Sequence, residues 1–185
     1  FLIYMFYYLS KYTNIIIKLN QILNFKKIKD IFAINLNIFI RTILLTFSFL
    51  WFTYLGTQIG EDFVAANAIL INLVFLSAFI LDAYAFSTEG IVGYSLGKKD
   101  LNLFKKIIKN SFILSSLSGL VISIIYFFTY DHVINLMSNI KEIRELSSSY
   151  VVWLIILPII SSFCYQFDGI FIGTSQTKEL RNAMI

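Results

Sequence analysis

The sequence predicts an all-α integral membrane protein, a polytopic helical bundle, and three observations carry that expectation. Apolar residues make up 58% of the 185 positions and charged residues 14%, against about 45–50% and about 25% in ordinary soluble domains. The apolar residues gather into runs that approach or exceed the roughly 20 positions a helix needs to cross a bilayer. The lysines and arginines collect in alternate loops, the pattern that sets orientation in a membrane.

Taken in order, residues 1–17 read as the end of a truncated transmembrane helix. The stretch from Phe1 to Leu9 is apolar but lacks the basic leader and small-residue cleavage site of a signal peptide, and the chain reads as a piece of a longer protein. Residues 18–35 interleave Ile22, Leu23, Phe25, Ile28, Ile31, Phe32 and Ile34 with Lys26, Lys27, Lys29 and Asp30. That pattern suits a basic amphipathic helix in the headgroup region or a solvated linker. Residues 36–185 are expected to form a transmembrane bundle, with spans at about 36–55, 63–96, 110–130 and 146–173 and a further span cut at its start.

The first complete span, 36–55, carries Arg41 about one turn inside it. Gly56 to Asp62 reads as an acidic turn, with Gly60 as a helix stop. The second span, 63–96, is too long for the hydrocarbon at 1.5 Å per residue, so its last turns should project beyond it. The third, 110–130, has a small polar stretch, Ser111, Ser115, Ser116, Ser118, Gly119 and Ser123, suited to packing on another helix. Residues 131–145 read as an amphipathic connector. In the fourth span, 146–173, Pro158 removes a backbone hydrogen bond and predicts a kink.

Polar residues inside these runs are the candidate functional residues. Asp82 and Glu89 lie seven positions apart, nearly two helical turns and about 10 Å, so they share a face, with Asn67 and Asn72 close to it. A charge at bilayer depth costs roughly 2.5–3.5 kcal/mol on insertion scales, and intramembrane acids commonly mark ion or substrate pathways. A purely structural role, locking helices together, is the competing reading. Asp168 lies ten positions after Pro158 in a third acidic position. Arg41 would neutralise either Glu89 or Asp168 if the helices pack together, whereas Asp82 has no evident basic partner at its depth. A buried carboxylate without a cation favours its protonated form, which is the physical case for proton coupling.

The placement of charge fixes orientation and removes other function classes. Loops 11–35, 98–109 and 174–182 hold most of the lysines and should be cytoplasmic; Glu61 and Asp62 face the other side. The net charge of +4 is thereby explained by topology, and no nucleic-acid partner is called for. Cys164 is the single cysteine and His132 the single histidine, so neither a disulfide nor a histidine metal site is expected. No nucleophile–base pair or phosphate loop suggests an enzyme, and no cofactor is expected beyond a coupling H+ or Na+.

Four stretches carry a resemblance: NIFIRT (Asn37 to Thr42), AANAILINL (Ala65 to Leu73), LDAYAFSTEGIVGYSLGKKD (Leu81 to Asp100) and DGIFIGTSQTKELRNAM (Asp168 to Met184). In order and spacing they resemble the multidrug and toxic compound extrusion (MATE) transporters across most of residues 35–185. The resemblance implies about half of a twelve-helix, two-lobed transporter, with residues 18–35 joining the halves and the first half of the chain absent. It implies a secondary active exporter of drugs, toxic compounds or organic cations in the bacterial inner membrane, driven by a proton or sodium gradient. Some members also use an acid on the helix corresponding to 36–55; here that helix has only Arg41, so the resemblance does not carry over the sodium site of those members. The implied pathway residues are Asp82 and Glu89 first, then Asp168 with Arg41 as its partner. Expected partners are membrane lipids, a small cationic substrate and the missing half. A lipid-linked sugar flippase of a related group, which would want a more cationic cavity, and a non-transporting membrane scaffold are the alternatives.

Overall fold

A computed structural model describes Tyr4 and residues 25–185. The expectations for 1–17, and for 18–35 up to position 24, lie outside the described residues. The chain divides into two compact units, Phe1–Leu36 and Asn37–Ile185. Six helices are described: α1 (Phe25–Ile59), α2 (Glu61–Gly97), α3 (Leu101–Met137), α4 (Lys141–Ser149), α5 (Val151–Gly173) and α6 (Thr177–Asn182). Apart from Tyr4, the described part of the first unit is the opening stretch of α1, where Phe25, Ile28, Ile31 and Phe32 are exposed. α1, α2, α3 and α5 contain stretches long and apolar enough to cross a membrane.

Helix ends and expected membrane boundaries do not coincide. The amphipathic segment before 36 and the first span form one helix from Phe25 to Ile59. The basic segment after Gly97 likewise runs from Leu101 straight into the third span, and that helix continues to Met137. The reason is periodic. An amphipathic surface helix and a spanning helix share the 3.6-residue repeat, and no glycine or proline separates them here. A helix of 37 residues is about 55 Å long, against a hydrocarbon core of about 30 Å, so its charged turns lie beyond the core. The expected connector 131–145 is split: 131–137 completes α3, and α4 follows a three-residue break. The fourth span starts at Val151 rather than 146.

The expected turn at 56–62 contracts to a single residue. Gly60, at φ 154, stands between α1 and α2, a conformation natural to glycine. Glu61 and Asp62 open α2, where carboxylates complement the helix dipole. At the other end of α2, Lys99 adopts φ 56, and Asp100 caps α3 by accepting from the Leu103 N–H at 2.9 Å.

The second unit is built on α5, which packs against α2 and α3, while α4 lies across α2 and α3. Its apolar centre holds Leu70, Leu73, Leu81, Ile122, Tyr126 and Leu154. A second cluster of Ala66, Ile69, Ile134 and Ile143 sits under α4. On α4, Ile143 and Ser147 turn inward while Lys141 and Glu145 pair on the exposed side. In lipid, helices associate through close packing and interhelical hydrogen bonds rather than through the hydrophobic effect, and both are present. A Cβ on Gly169 or Gly173 would collide with the backbone of Ala85 or Glu89, so α2 and α5 touch backbone to backbone over two successive turns.

The serine-rich stretch of α3 packs as its composition suggested. Ser115 donates to the Ser162 carbonyl at 3.3 Å, Ser118 to the Tyr84 hydroxyl at 2.8 Å, and Ser123 to the Ile155 carbonyl. Gly119 lies against the Pro158 carbonyl. α5 is assigned as one helix through Pro158. The proline has no N–H to offer the Leu154 carbonyl, and Ser123 donates to the next carbonyl along, that of Ile155.

Candidate functional site

Three helices bring four polar side chains together. Arg41 comes from α1, Asp82 from α2, and Tyr165 and Asp168 from α5. The Arg41 Nη2 and Asp168 Oδ2 form an ion pair, with 15% and 23% of the two side chains exposed. Arg41 therefore meets Asp168, one of the two partners the sequence allowed. Asp82 lies within electrostatic reach of Arg41 and of Asp168, and Tyr165 within reach of all three. This corrects one expectation: Asp82 does have a cation near it, although the ion pair itself goes to Asp168. The result is an Arg41–Asp168 ion pair with a second carboxylate, Asp82, within electrostatic reach of it.

Glu89 is placed elsewhere. Its backbone lies under Gly173 at the α2–α5 contact, and its carboxylate has no ion-pair partner among the described residues. The face expected to run from Asn67 through Asp82 and Glu89 is not a single buried stripe. The buried side of α2 is Ser77, Leu81, Ala85, Thr88, Val92 and Ser95. Asp82 and Glu89 are half-buried at its border, as is Asn67, while Asn72 is exposed. The physical reason is the backbone contact at Gly169 and Gly173, which selects the rotation of α2.

A second polar contact spans the same helices. Thr88 Oγ1 and Gln166 Oε1 lie 2.9 Å apart, and Gln166 is fully buried. The Gln166 Nε2 and the Arg41 Nε are buried without a hydrogen-bond partner among the described residues. Sequence reading missed Thr88 and Gln166. The signal was present, since Gln166 interrupts an apolar run two positions before Asp168.

Beside the polar cluster lies an apolar cavity of about 610 Å3 between α1, α2 and α5. Its walls include Phe49, Phe52, Phe63, Tyr150 and Trp153, together with Leu45, one turn beyond Arg41. Phe63 meets Tyr150 edge-on, with ring centres 5.6 Å apart. Asn67 reaches both this cavity and a smaller one of about 240 Å3, which Asn72 also lines. A volume of that size and an aromatic lining suit a drug-sized apolar molecule. Among the described residues, no group of three histidine, cysteine or acidic side chains is arranged to hold a metal ion.

Apolar helices of spanning length, joined by an ion pair inside the bundle and flanking an aromatic cavity, define a polytopic membrane protein of transporter type. Residues 38–184 match the MatE family model, and the chain belongs to that family, the multidrug and toxic compound extrusion transporters, which are not enzymes. It is 32% identical over 161 residues to the DNA damage-inducible protein F of Escherichia coli strain K12. That alignment covers 87% of this chain and 34% of the relative, so the chain spans about a third of the length of the curated relative it matches. No solved structure matches it.

Proposed function

We propose that this chain forms part of a proton-driven exporter of amphipathic organic cations, in which Asp82 carries the coupling proton and Arg41 and Asp168 form its fixed counter-charge pair. The observation that carries this reading is the excess of one carboxylate in the cluster. With Asp168 satisfied by Arg41, the remaining acid is the one whose charge changes at least cost when water reaches it. Sodium is the less suitable ion, because the guanidinium stands on the Asp168 oxygen that a sodium ion would need. The aromatic cavity beside the cluster would receive the apolar body of the substrate by stacking. Protonation would then bias the cavity between inward- and outward-open states. Cytoplasmic placement of the loops at 98–109 and 174–182, and residence in a bacterial inner membrane, belong to the same proposal.

The test uses the full-length protein that contains this chain, reconstituted in lipid vesicles. A pH gradient is imposed, and efflux of a fluorescent organic cation is followed with and without sodium, for the wild type, Asp82→Asn and Glu89→Gln. The expected outcome is sodium-independent efflux, lost in Asp82→Asn and largely kept in Glu89→Gln. Efflux that needs sodium and no pH gradient would replace the coupling ion. Retained coupling in Asp82→Asn would reject the assignment of the acid.

A further inference from the structure

We propose that Asn37 and Arg181 form a latch that holds Arg41 in register with Asp168, making both of them positioning residues for the candidate coupling site. This inference rests on the reading of that site given above. Asn37 and Arg41 are four positions apart on α1, so they share a face about one turn apart. The Asn37 Oδ1 accepts from the Arg181 Nη1 at 2.9 Å, and its Nδ2 donates to the Thr177 Oγ1 at 3.4 Å. Asp168 lies in α5 and Thr177 and Arg181 in α6, immediately beyond the turn. One continuous stretch of chain therefore grips α1 at two successive turns.

The stretch is built to hold its shape. The Ser175 N–H bonds the Ile172 carbonyl and the Gln176 N–H the Phe171 carbonyl, each at 2.9 Å, closing the end of α5. Ser175 sits at φ 59, the left-handed conformation that ends a helix and turns the chain toward α6. Thr177 and Leu180 are buried. Arg181 is fixed on its other side as well, since its Nη2 donates to the Asn182 Oδ1 at 2.8 Å.

The need for a latch follows from how Arg41 is held. It reaches Asp168 through one nitrogen, Nη2, and its Nε has no hydrogen-bond partner among the described residues. A guanidinium bound through two parallel hydrogen bonds fixes its own orientation; one bound through a single nitrogen does not. The height and rotation of α1 must then be set by another contact on the same face. Asn37, one turn away, makes it.

The experiment uses the full chain with Cys164→Ser, carrying spin labels at Phe39→Cys on α1 and Phe167→Cys on α5, both exposed positions. Pulsed electron paramagnetic resonance in lipid nanodiscs reads the distance between them. A narrow distribution is expected in the parent and in Asn37→Asp, whose carboxylate accepts from the same guanidinium. A broadened one is expected in Asn37→Ala and Arg181→Gln. Proton-driven efflux in those two variants should fall about fivefold, the equivalent of one lost hydrogen bond, with the amount of folded protein unchanged, and should recover in Asn37→Asp. An unchanged distribution overturns the latch. A broadened distribution with unchanged efflux overturns the positioning role. If the wild type shows no pH-driven efflux, the coupled-exporter reading fails, and the distance measurement alone decides the latch.

Discussion

Arg41 on α1 pairs with Asp168 on α5 across 127 positions of sequence, and among the described residues it is the one ion pair that joins two helices. The pair is mostly shielded from solvent by the protein itself, and lipid would shield it further. Its members are consequently worth far more together than apart.

Removing one member should destabilise the protein more than removing both. Arg41→Gln leaves two carboxylates without their cation; Asp168→Asn leaves a guanidinium short of its acceptor. Each single change should cost about 3 kcal/mol, the lower end for breaking a buried pair, because both side chains keep some exposure. The Arg41→Gln/Asp168→Asn double variant should recover part of that loss. Thermal unfolding of the full chain in detergent, read as a double-mutant cycle, gives the coupling energy. Strictly additive losses would mean that the two side chains do not interact.

This pairing marks the limit of what the sequence could tell. Apolar runs and lysine placement were enough to expect spanning helices, because both depend on composition over 20 or more positions. The motif around Asp82 and Glu89 marked α2 as chemically unusual. Which acid Arg41 meets depends on helix rotation, and that is set by backbone contact at Gly169 and Gly173. The spacing of glycines hints at such contact without saying which helix it meets. The cavity aromatics were equally hidden. Phe49 and Phe52 face the cavity while Phe47 and Trp51, on the same helix, stack on each other at the exposed surface. A stretch of continuous aromatic sequence does not reveal which residues turn inward. Helix ends were misplaced because a helix does not stop where the hydrocarbon does.

The glycines of the bundle should divide sharply by position. A Cβ at Gly169 or Gly173 would meet the backbone of α2, which cannot move aside without separating the helices, whereas a Cβ at Gly90 meets nothing within 4 Å. Gly169→Ala should therefore destabilise by about 1–3 kcal/mol, as overpacking does, and Gly90→Ala should stabilise by roughly 0.5–1 kcal/mol through helix propensity. Unfolding midpoints of the two variants in one detergent are the measurement. Equal effects at both sites would contradict the backbone contact.

Thr88 and Gln166 offer an asymmetric pair. Gln166 is wholly buried, and its amide nitrogen has no hydrogen-bond partner among the described residues. Thr88→Val removes its remaining side-chain contact, and should cost about 1–3 kcal/mol, the penalty for a buried polar group left unsatisfied. Gln166→Leu removes the unsatisfied group itself, and should cost less or nothing. Thermal unfolding distinguishes them; a larger loss in Gln166→Leu than in Thr88→Val would mean that the amide has a further partner in the folded protein.

Orientation is open to direct chemistry, and the coupling proposal depends on it. Asp62 opens α2 and is exposed, and Lys106 is exposed in the second turn of α3, so the two mark opposite ends of the bundle. In a Cys164→Ser background, a membrane-impermeant maleimide should label Asp62→Cys in intact cells. It should label Lys106→Cys only after the membrane is opened. That result would place Arg41, Asp168 and the Asn37–Arg181 contact toward the cytoplasmic side, where protons taken up outside must finally be released. The reverse pattern would turn the bundle over. The ion pair would then face the outer solution, and Asp82, deeper along α2, would have to pass its proton in the other direction.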